Sequence, residues 1–156
     1  MCDVPAETAP ASPLPRSRPL NREAPRRIGA WQIAPRPHQP IRLARSRDPL
    51  AIPGALYRAP GELLLLTDEA ELPAAAQLHD MSAAFCCIDV TGPDPLAAIG
   101  LGNLEPLAPG DSLTTRLADI RVTLCGTGDG LLLITENHSA DWLWNWLLAR
   151  LQVAAI

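Results

Sequence analysis

Three neighbouring side chains near the C-terminal end have the residue types of a nucleophilic triad: His138, Ser139 and Asp141. Side chains so close in sequence do not normally align in a proton relay. Ser139 and Asp141 are better explained as the cap and the first-turn acid of a helix. His38 and His79 stand alone, with no partner at metal-ligand spacing. The sequence therefore predicts no catalytic residue and no metal site.

Two glycine clusters resemble phosphate-binding loops only in part. The cluster at 126–130 (GTGDG) lacks the lysine that follows a phosphate-binding loop, and it joins two predicted strands. The cluster at 100–102 (GLG) has no third glycine in register. Asp80 and Asp89 are single carboxylates without a paired acid. We therefore expect this chain to bind no nucleotide cofactor.

The four cysteines do not form a disulfide or metal pattern. Cys86 and Cys87 are neighbours in an apolar segment, and adjacent residues of a strand point to opposite faces. Cys2 and Cys125 have no histidine or cysteine at ligand spacing. The sequence predicts reduced thiols that act as small apolar side chains.

Composition divides the 156 residues near Pro60. Residues 1–60 hold 12 of the 17 prolines and ten arginines against four acids, a net charge of +6, whereas residues 61–156 have three arginines against 13 acids, a net charge of −10. The first part is predicted to be a proline- and arginine-rich extended arm, and the second part an α+β domain. The overall net charge of −4 argues against nucleic acid or an anionic membrane as the partner.

Apolar patterning in residues 61–156 predicts a small mixed sheet with helices packed on it. The predicted strands cover residues 62–67, 83–90, 118–124 and 131–135. The predicted helices cover residues 70–78, 94–99 and 139–153, with Asp68 and Ser139 as caps of the first and last. The longest uncharged apolar run is too short to span a membrane.

The last predicted helix carries two apolar stripes. One should face the sheet and consists of Leu143, Trp144, Leu147, Leu148 and Leu151. The other lies on the opposite side and consists of Trp142, Trp146, Ala149 and Val153. An uncovered stripe with two tryptophans is typical of a contact surface. It is expected to be a subunit interface, or else to be covered by the arm with Trp31.

The order and spacing of several short motifs resemble the gamma subunit of heterotetrameric sarcosine oxidase. The resemblance covers about residues 61–153, and no single motif is specific by itself. The chain departs from the family pattern at Asn137-His138, where members often carry Arg-Ser. The motifs are DMS at 80–82, TGPD at 91–94, PG at 109–110, the predicted strand at 117–124, LLLIT at 131–135 and the helix from Ala140 to Leu147 with its WNWL ending.

The resemblance implies a fold similar to the folate-binding domain of aminomethyltransferases and a cytoplasmic companion subunit without chemistry of its own. In such complexes the alpha, beta and delta partners carry FAD, FMN, NAD, tetrahydrofolate and zinc and oxidatively demethylate sarcosine or a related N-methyl amino acid. The alternatives are a free-standing folate-binding protein and a scaffold subunit of another complex.

Overall fold

The computed structural model describes residue 20, residues 23–68 and residues 72–156. Within them the chain forms ten strands and two helices. In chain order these are β1 (Arg26–Ile28), β2 (Trp31–Pro35), β3 (Arg42–Arg45), β4 (Leu56–Ala59), β5 (Glu62–Leu65), β6 (Gln77–Asp80), β7 (Phe85–Thr91), α1 (Pro95–Ala98), β8 (Ser112–Leu117), β9 (Ile120–Gly126), β10 (Gly130–Glu136) and α2 (Asn137–Ala154).

Six strands form the larger sheet, in the order β1-β2-β7-β10-β9-β8, and all their pairings are antiparallel. Strand β7 lies inside this sheet because its side chains are apolar on both faces. Ile88 and Val90 contribute to the core on one face, whereas Phe85 and Cys87 contribute to the core on the other.

The smaller sheet has the order β4-β5-β3-β6 and is also antiparallel. Its Leu43 and Leu64 share one core cluster with Cys87 and Ile134 of the larger sheet. At the edge, β4 lies beside β8, and the Tyr57 N–H donates to Ser112 Oγ at 3.1 Å. The two sheets are therefore packed face to face and joined at one edge.

Helix α2 covers the other face of the larger sheet. Leu143, Trp144, Leu147 and Leu151 are buried in the same cluster as Ile88 of β7 and Leu133 of β10. The molecule thus has three layers: a helix, the six-stranded sheet and the four-stranded sheet. The predicted α+β class is confirmed, but the expected small mixed sheet is in fact two antiparallel sheets.

The predicted arm over residues 1–60 is wrong for residues 26–59, which contribute β1 to β4 to the two sheets. Its prolines do not prevent this, because Pro37 and Pro40 lie in the connection from β2 to β3, and Pro35 ends its strand. In β3 two arginines flank the buried pair Leu43 and Ala44. Residues 1–19, 21 and 22 of the predicted arm lie outside the described residues.

The helix predicted over residues 70–78 is also not observed in its described part. A turn closes where the Ala76 N–H donates to the Pro73 carbonyl, and β6 follows and pairs with β3. The pairing of β6 with β3 overrides the high helix propensity of the alanines, because tertiary contacts outweigh local preference. Residues 69–71 of this prediction lie outside the described part of the chain.

Other predicted boundaries move by a few residues. The strand predicted from Ala118 starts at Ile120, because Ala118 and Asp119 have positive φ and form a two-residue turn after β8. Helix α2 starts at Asn137 and not after Ser139, because the Asn137 N–H donates to the Ala84 carbonyl at 2.8 Å. The strands predicted near β5, β7 and β10 are confirmed, as is the short helix α1.

Candidate subunit interface

The two stripes predicted on the last helix are both recognisable on α2. The inner stripe is confirmed, with Leu143, Trp144, Leu147 and Leu151 buried and Leu148 partly buried. On the outer side, Trp142 is 48% exposed and Val153 is 64% exposed. Ala149 is also exposed. This outer stripe is the largest run of exposed apolar side chains on the helix.

Trp142 and Trp146 are stacked, as their spacing of four residues allows. Their ring centroids are 6.4 Å apart and their planes are inclined by 16°. Trp146 is partly buried and packs against the helix-side core, which is the core between α2 and the larger sheet. Its ring therefore points away from the sheet less than the sequence suggests. Trp142 therefore supplies most of the accessible aromatic surface of the pair.

Arg150 covers the second tryptophan. Its guanidinium carbon lies 5.8 Å from the centroid of Trp146, within the range of a cation–π contact. The same guanidinium lies close to Gly100, where a Cβ atom would be only 2.7 Å from Nη2. Arg150 is therefore held between the loop after α1 and the Trp146 ring, which fixes one end of the aromatic pair.

Trp31, the fifth residue predicted for this surface, is partly buried against the helix-side core. Its indole N–H donates to the Pro93 carbonyl at 2.9 Å, and its ring lies against Gly92. The adjacent turn at Gly29 lies beside Ala155 at the end of α2. Trp31 thus attaches the first hairpin to the turn before α1.

The cysteines have the environment that the sequence predicts. Cys86 faces the helix-side core and Cys87 the core between the sheets. Burial raises the pKa of the Cys87 thiol to about 12, and burial also raises the pKa of Cys125. Both thiols are therefore protonated at neutral pH, which removes the thiolate that nucleophilic chemistry requires. Cys2 lies outside the described residues.

The candidate triad is not assembled. His138 is exposed, and its Nδ1 lies 3.5 Å from Glu136 Oε2. Asp141 is exposed as well. Asp89 is bound by Arg36 at 2.5 Å, so that carboxylate has a structural partner. Among the described residues, no group of three or more histidine, cysteine or acidic side chains is arranged to hold a metal ion.

The glycine cluster at 126–130 lies in the β9–β10 hairpin, as the sequence predicts. Together with Gly92, Asp94 and Leu107 it borders a cavity of about 480 Å³. Thr127 Oγ1 donates to Asp129 Oδ1 at 3.2 Å within the loop. Asp94 and Asp129 bring negative charge to this cavity, which disfavours a phosphate group.

One charged network was not found by sequence reasoning. Arg58 of β4 has only 10% of its side chain exposed and donates to Glu136 Oε1 at 3.1 Å. Its guanidinium carbon also lies 4.8 Å from the Phe85 ring centroid, and Glu62 is 4.0 Å away. The network connects the smaller sheet to the start of α2. No spacing in the sequence indicates it, because Arg58 and Glu136 are 78 residues apart.

These features define a three-layer α+β domain with an exposed apolar stripe on its long helix. The chain is similar to one chain in the structure of heterotetrameric sarcosine oxidase from Corynebacterium sp. U-96 in complex with pyrrole 2-carboxylate. The TM-score is 0.70 at 16% sequence identity, and the match covers 90% of this chain and 97% of that chain. The resemblance to a sarcosine oxidase subunit that the sequence predicts is thereby confirmed at the level of the fold.

No protein-family model matches the sequence. No curated protein matches it either. In the part of the chain that the structure describes, neither helix has the length and apolar character needed to cross a bilayer.

Proposed function

We propose that this chain is the gamma subunit of a heterotetrameric sarcosine oxidase and has no catalytic residues of its own. The observation that supports this proposal is the similarity in fold to a chain of that enzyme, over 90% of this chain. The matched chain is similar in length to this one, because the match covers 90% of this chain and 97% of that chain. Partner subunits of the alpha, beta and delta types would then oxidise sarcosine or a related N-methyl amino acid.

The outer face of α2 is the proposed contact surface for those partners. Tryptophan is among the residues that contribute most to binding when it is buried at the centre of an interface. Trp142 is already oriented by its stack on Trp146, so little conformational entropy is lost when a partner covers it. Ala149 and Val153 extend the same surface along the helix, and Trp31 belongs to the hairpin beside the end of the helix.

In this proposal the chain binds no cofactor itself, and FAD, FMN, NAD, tetrahydrofolate and zinc belong to the other subunits. The complex is proposed to be cytoplasmic, without nucleic acid or membrane among its partners. The protonated state of the buried Cys87 and the ion pair of Asp89 with Arg36 are consistent with a chain that does not react with substrate.

The proposal is tested by co-expressing the tagged chain with the alpha, beta and delta subunits encoded in the same genome. We expect the four chains to co-purify in equal amounts and the purified complex to oxidise sarcosine. Omission of this chain should reduce the yield of the assembled complex. Recovery of a fully active complex of the other three subunits, with this chain left unbound, contradicts the proposal.

Two ligand measurements on the isolated chain distinguish the companion function, meaning a subunit that binds no cofactor, from a folate-binding function. After mixing with FAD or FMN and gel filtration, the chain should remain colourless. Titration with tetrahydrofolate at micromolar concentration should release no heat. A stoichiometric yellow protein contradicts the companion function, and saturable heat from tetrahydrofolate favours a folate-binding protein.

A further inference from the structure

The four residues of the outer stripe of α2 follow a strict heptad spacing. They are Trp142, Trp146, Ala149 and Val153, separated by four, three and four positions. Ile156, which is fully exposed directly after the C-cap of the helix, continues the spacing by three. The inner stripe is wider, because it includes adjacent residues such as Leu143 and Trp144. A wide stripe faces the core of a domain, whereas a narrow heptad stripe is typical of a helix that packs against one other helix.

Ala149 leaves a depression in the outer stripe, because its neighbours along the helix have larger side chains. Four residues at positions i, i+3, i+4 and i+7 form the hole that accepts one side chain of a facing helix. Here the four residues are Trp146, Ala149, Arg150 and Val153. Both Ala149 and Val153 are exposed, so no other described residue of the chain fills this hole.

Arg150 borders the hole without a counter-charge. No acidic side chain in the described part of the chain forms an ion pair with it, and its buried Nε has no hydrogen-bond partner there. The guanidinium is nevertheless held in place between the Trp146 ring and Gly100. A fixed arginine is a strong donor group for a carboxylate. The surface that covers the stripe should therefore bring an acidic side chain to this border.

We propose that the outer stripe binds one amphipathic α-helix of a partner subunit, with apolar side chains at heptad spacing and an acidic side chain beside Arg150. The inference rests on the proposed function, because it names the element of the partner that contacts this surface. A strand fits less well, since its side chains alternate with a period of two and α2 cannot pair with its backbone. A second copy of this chain also fits less well, because its outer stripe is bordered by another Arg150 and by the uncharged Asn145 and Gln152.

A binding measurement on the full chain tests the preference for a helix. The probe is a fluorescein-labelled peptide of about 21 residues, or three heptads, with leucines at heptad spacing and glutamates at the flanking positions. A second peptide has the same composition, with its leucines moved into strict alternation. In fluorescence anisotropy the heptad peptide should bind at least about tenfold more tightly than the alternating one. It should also gain helical circular dichroism when it binds.

Two alanines of α2 provide a matched pair of variants. Ala149→Phe fills the hole and should weaken binding of the heptad peptide at least about tenfold. Ala154→Phe makes the same change at an exposed residue about 140° away around the helix. This control should bind within about twofold of the unchanged chain.

The charge of the partner helix is tested with a heptad peptide that carries lysines in place of the glutamates. The unchanged chain should prefer the glutamate peptide by about twofold to fivefold at low salt, as an exposed ion pair allows. The net charge of −4 favours the lysine peptide, so this preference must come from a local contact. Arg150→Met should abolish it. A preference for the lysine peptide contradicts the acidic side chain beside Arg150.

The partner segment is identified in the co-expressed complex by photo-cross-linking. Benzoylphenylalanine is placed at Asn145 or at Gln152, which border the stripe one heptad apart. Seven helical residues span about 10.5 Å, so the two cross-linked residues of a partner helix should lie about seven positions apart in one segment. A partner strand would give a separation of about three positions.

The outcomes for this inference and for the proposed function are distinguishable. If the chain does not co-purify with the partner subunits, the proposed function is wrong, and the peptide measurements still decide whether the stripe binds a helix. Equal binding of the heptad and alternating peptides, or equal weakening in Ala149→Phe and Ala154→Phe, overturns the inference. So do cross-links about three positions apart or in separate partner segments. Cross-links to residues 1–19 or to a second copy of this chain also overturn it, since they identify a different occupant.

Discussion

The two faces of α2 carry similar side chains in different surroundings. On the inner face Trp144 and Leu147 are buried against the larger sheet, whereas on the outer face Trp142 is 48% exposed. Trp142 and Trp144 are only two residues apart, which places them on different sides of the helix. The comparison shows that residue type alone does not distinguish a core position from a contact position. The two are distinguished by the side of the helix that faces the sheet.

Side chains on the two faces of α2 contribute to different free energies, one of folding and the other of assembly. A side chain on the inner face stabilises the fold of the free chain, because its apolar area is removed from water during folding. A side chain on the outer face removes the rest of its area from water only when a partner covers it. Substitutions on the two faces should therefore affect different measurements.

The largest effect is expected for Leu147→Ala on the inner face. Leu147 is fully buried, so truncation should leave a cavity and lower the free energy of unfolding by about 2–5 kcal/mol. The measurement is urea denaturation of the isolated chain, followed by circular dichroism. A loss below about 1 kcal/mol contradicts the packing of α2 on the sheet, since it would mean that little apolar contact is made there.

The double substitution Trp142→Ala with Trp146→Ala should affect assembly more than folding. Truncation of a tryptophan at the centre of an interface commonly weakens binding by about 2 kcal/mol or more, which is about thirtyfold in affinity. The variant should fold as an isolated chain but fail to co-purify with the partner subunits.

A double variant of Trp142 and Trp146 that assembles normally would contradict the proposed interface. A different contradiction would come from denaturation, if the double variant lost as much stability as Leu147→Ala. That outcome would mean that the two tryptophans stabilise the free chain as much as a core residue does, either through the packing of Trp146 on the core and under Arg150 or through a segment that covers them, as in the alternative in which the arm covers them.

The sequence predicts the inner face of α2 and four of the six strands of residues 61–156, because regular apolar spacing is a local signal, but it misses β6, where a helix was expected, and β8. Strand β7 is recognisable from its continuous apolar run, and the β9–β10 hairpin from its glycines. The strands β1 to β4 were missed because many prolines and arginines lie in or beside them. Their assignment depends on pairing with distant partners, for example Ile33 with Val90, which no local pattern contains.

The candidate interface was predictable in part for the same reason. Helical periodicity places Trp142 and Val153 on one stripe, and both are exposed. It does not indicate that Trp146 is half-buried under Arg150, since this depends on the loop that brings Gly100 close to the helix. The turn at Ala118 and Asp119 between β8 and β9 was missed because the sequence suggested a single strand from Ala118.

A smaller effect is expected for Arg150→Ala, which removes the side chain that covers Trp146. The free chain should lose about 0.5–1 kcal/mol of stability through the cation–π contact. Tryptophan emission should shift to longer wavelength as Trp146 gains contact with water. The matched control is Arg150→Met, which keeps much of the apolar stem and should retain more of the packing. Equal losses for the two variants would assign the stabilisation to the charge and not to the stem.

The smallest effect on folding, and the one that separates the faces most clearly, is expected for Val153→Lys. Val153 is 64% exposed in the last turn of α2, where the helix has no basic residue. A positive charge near a helix C-terminus is favourable, so the free chain should be unchanged or more stable by about 0.3 kcal/mol. Assembly with the partner subunits should nevertheless weaken, because a lysine ammonium would be placed in an apolar contact. Denaturation and co-purification of the same variant measure the two effects. A loss of stability above about 0.5 kcal/mol would mean that the outer face is already covered in the free chain, because surface substitutions away from contacts stay within that range.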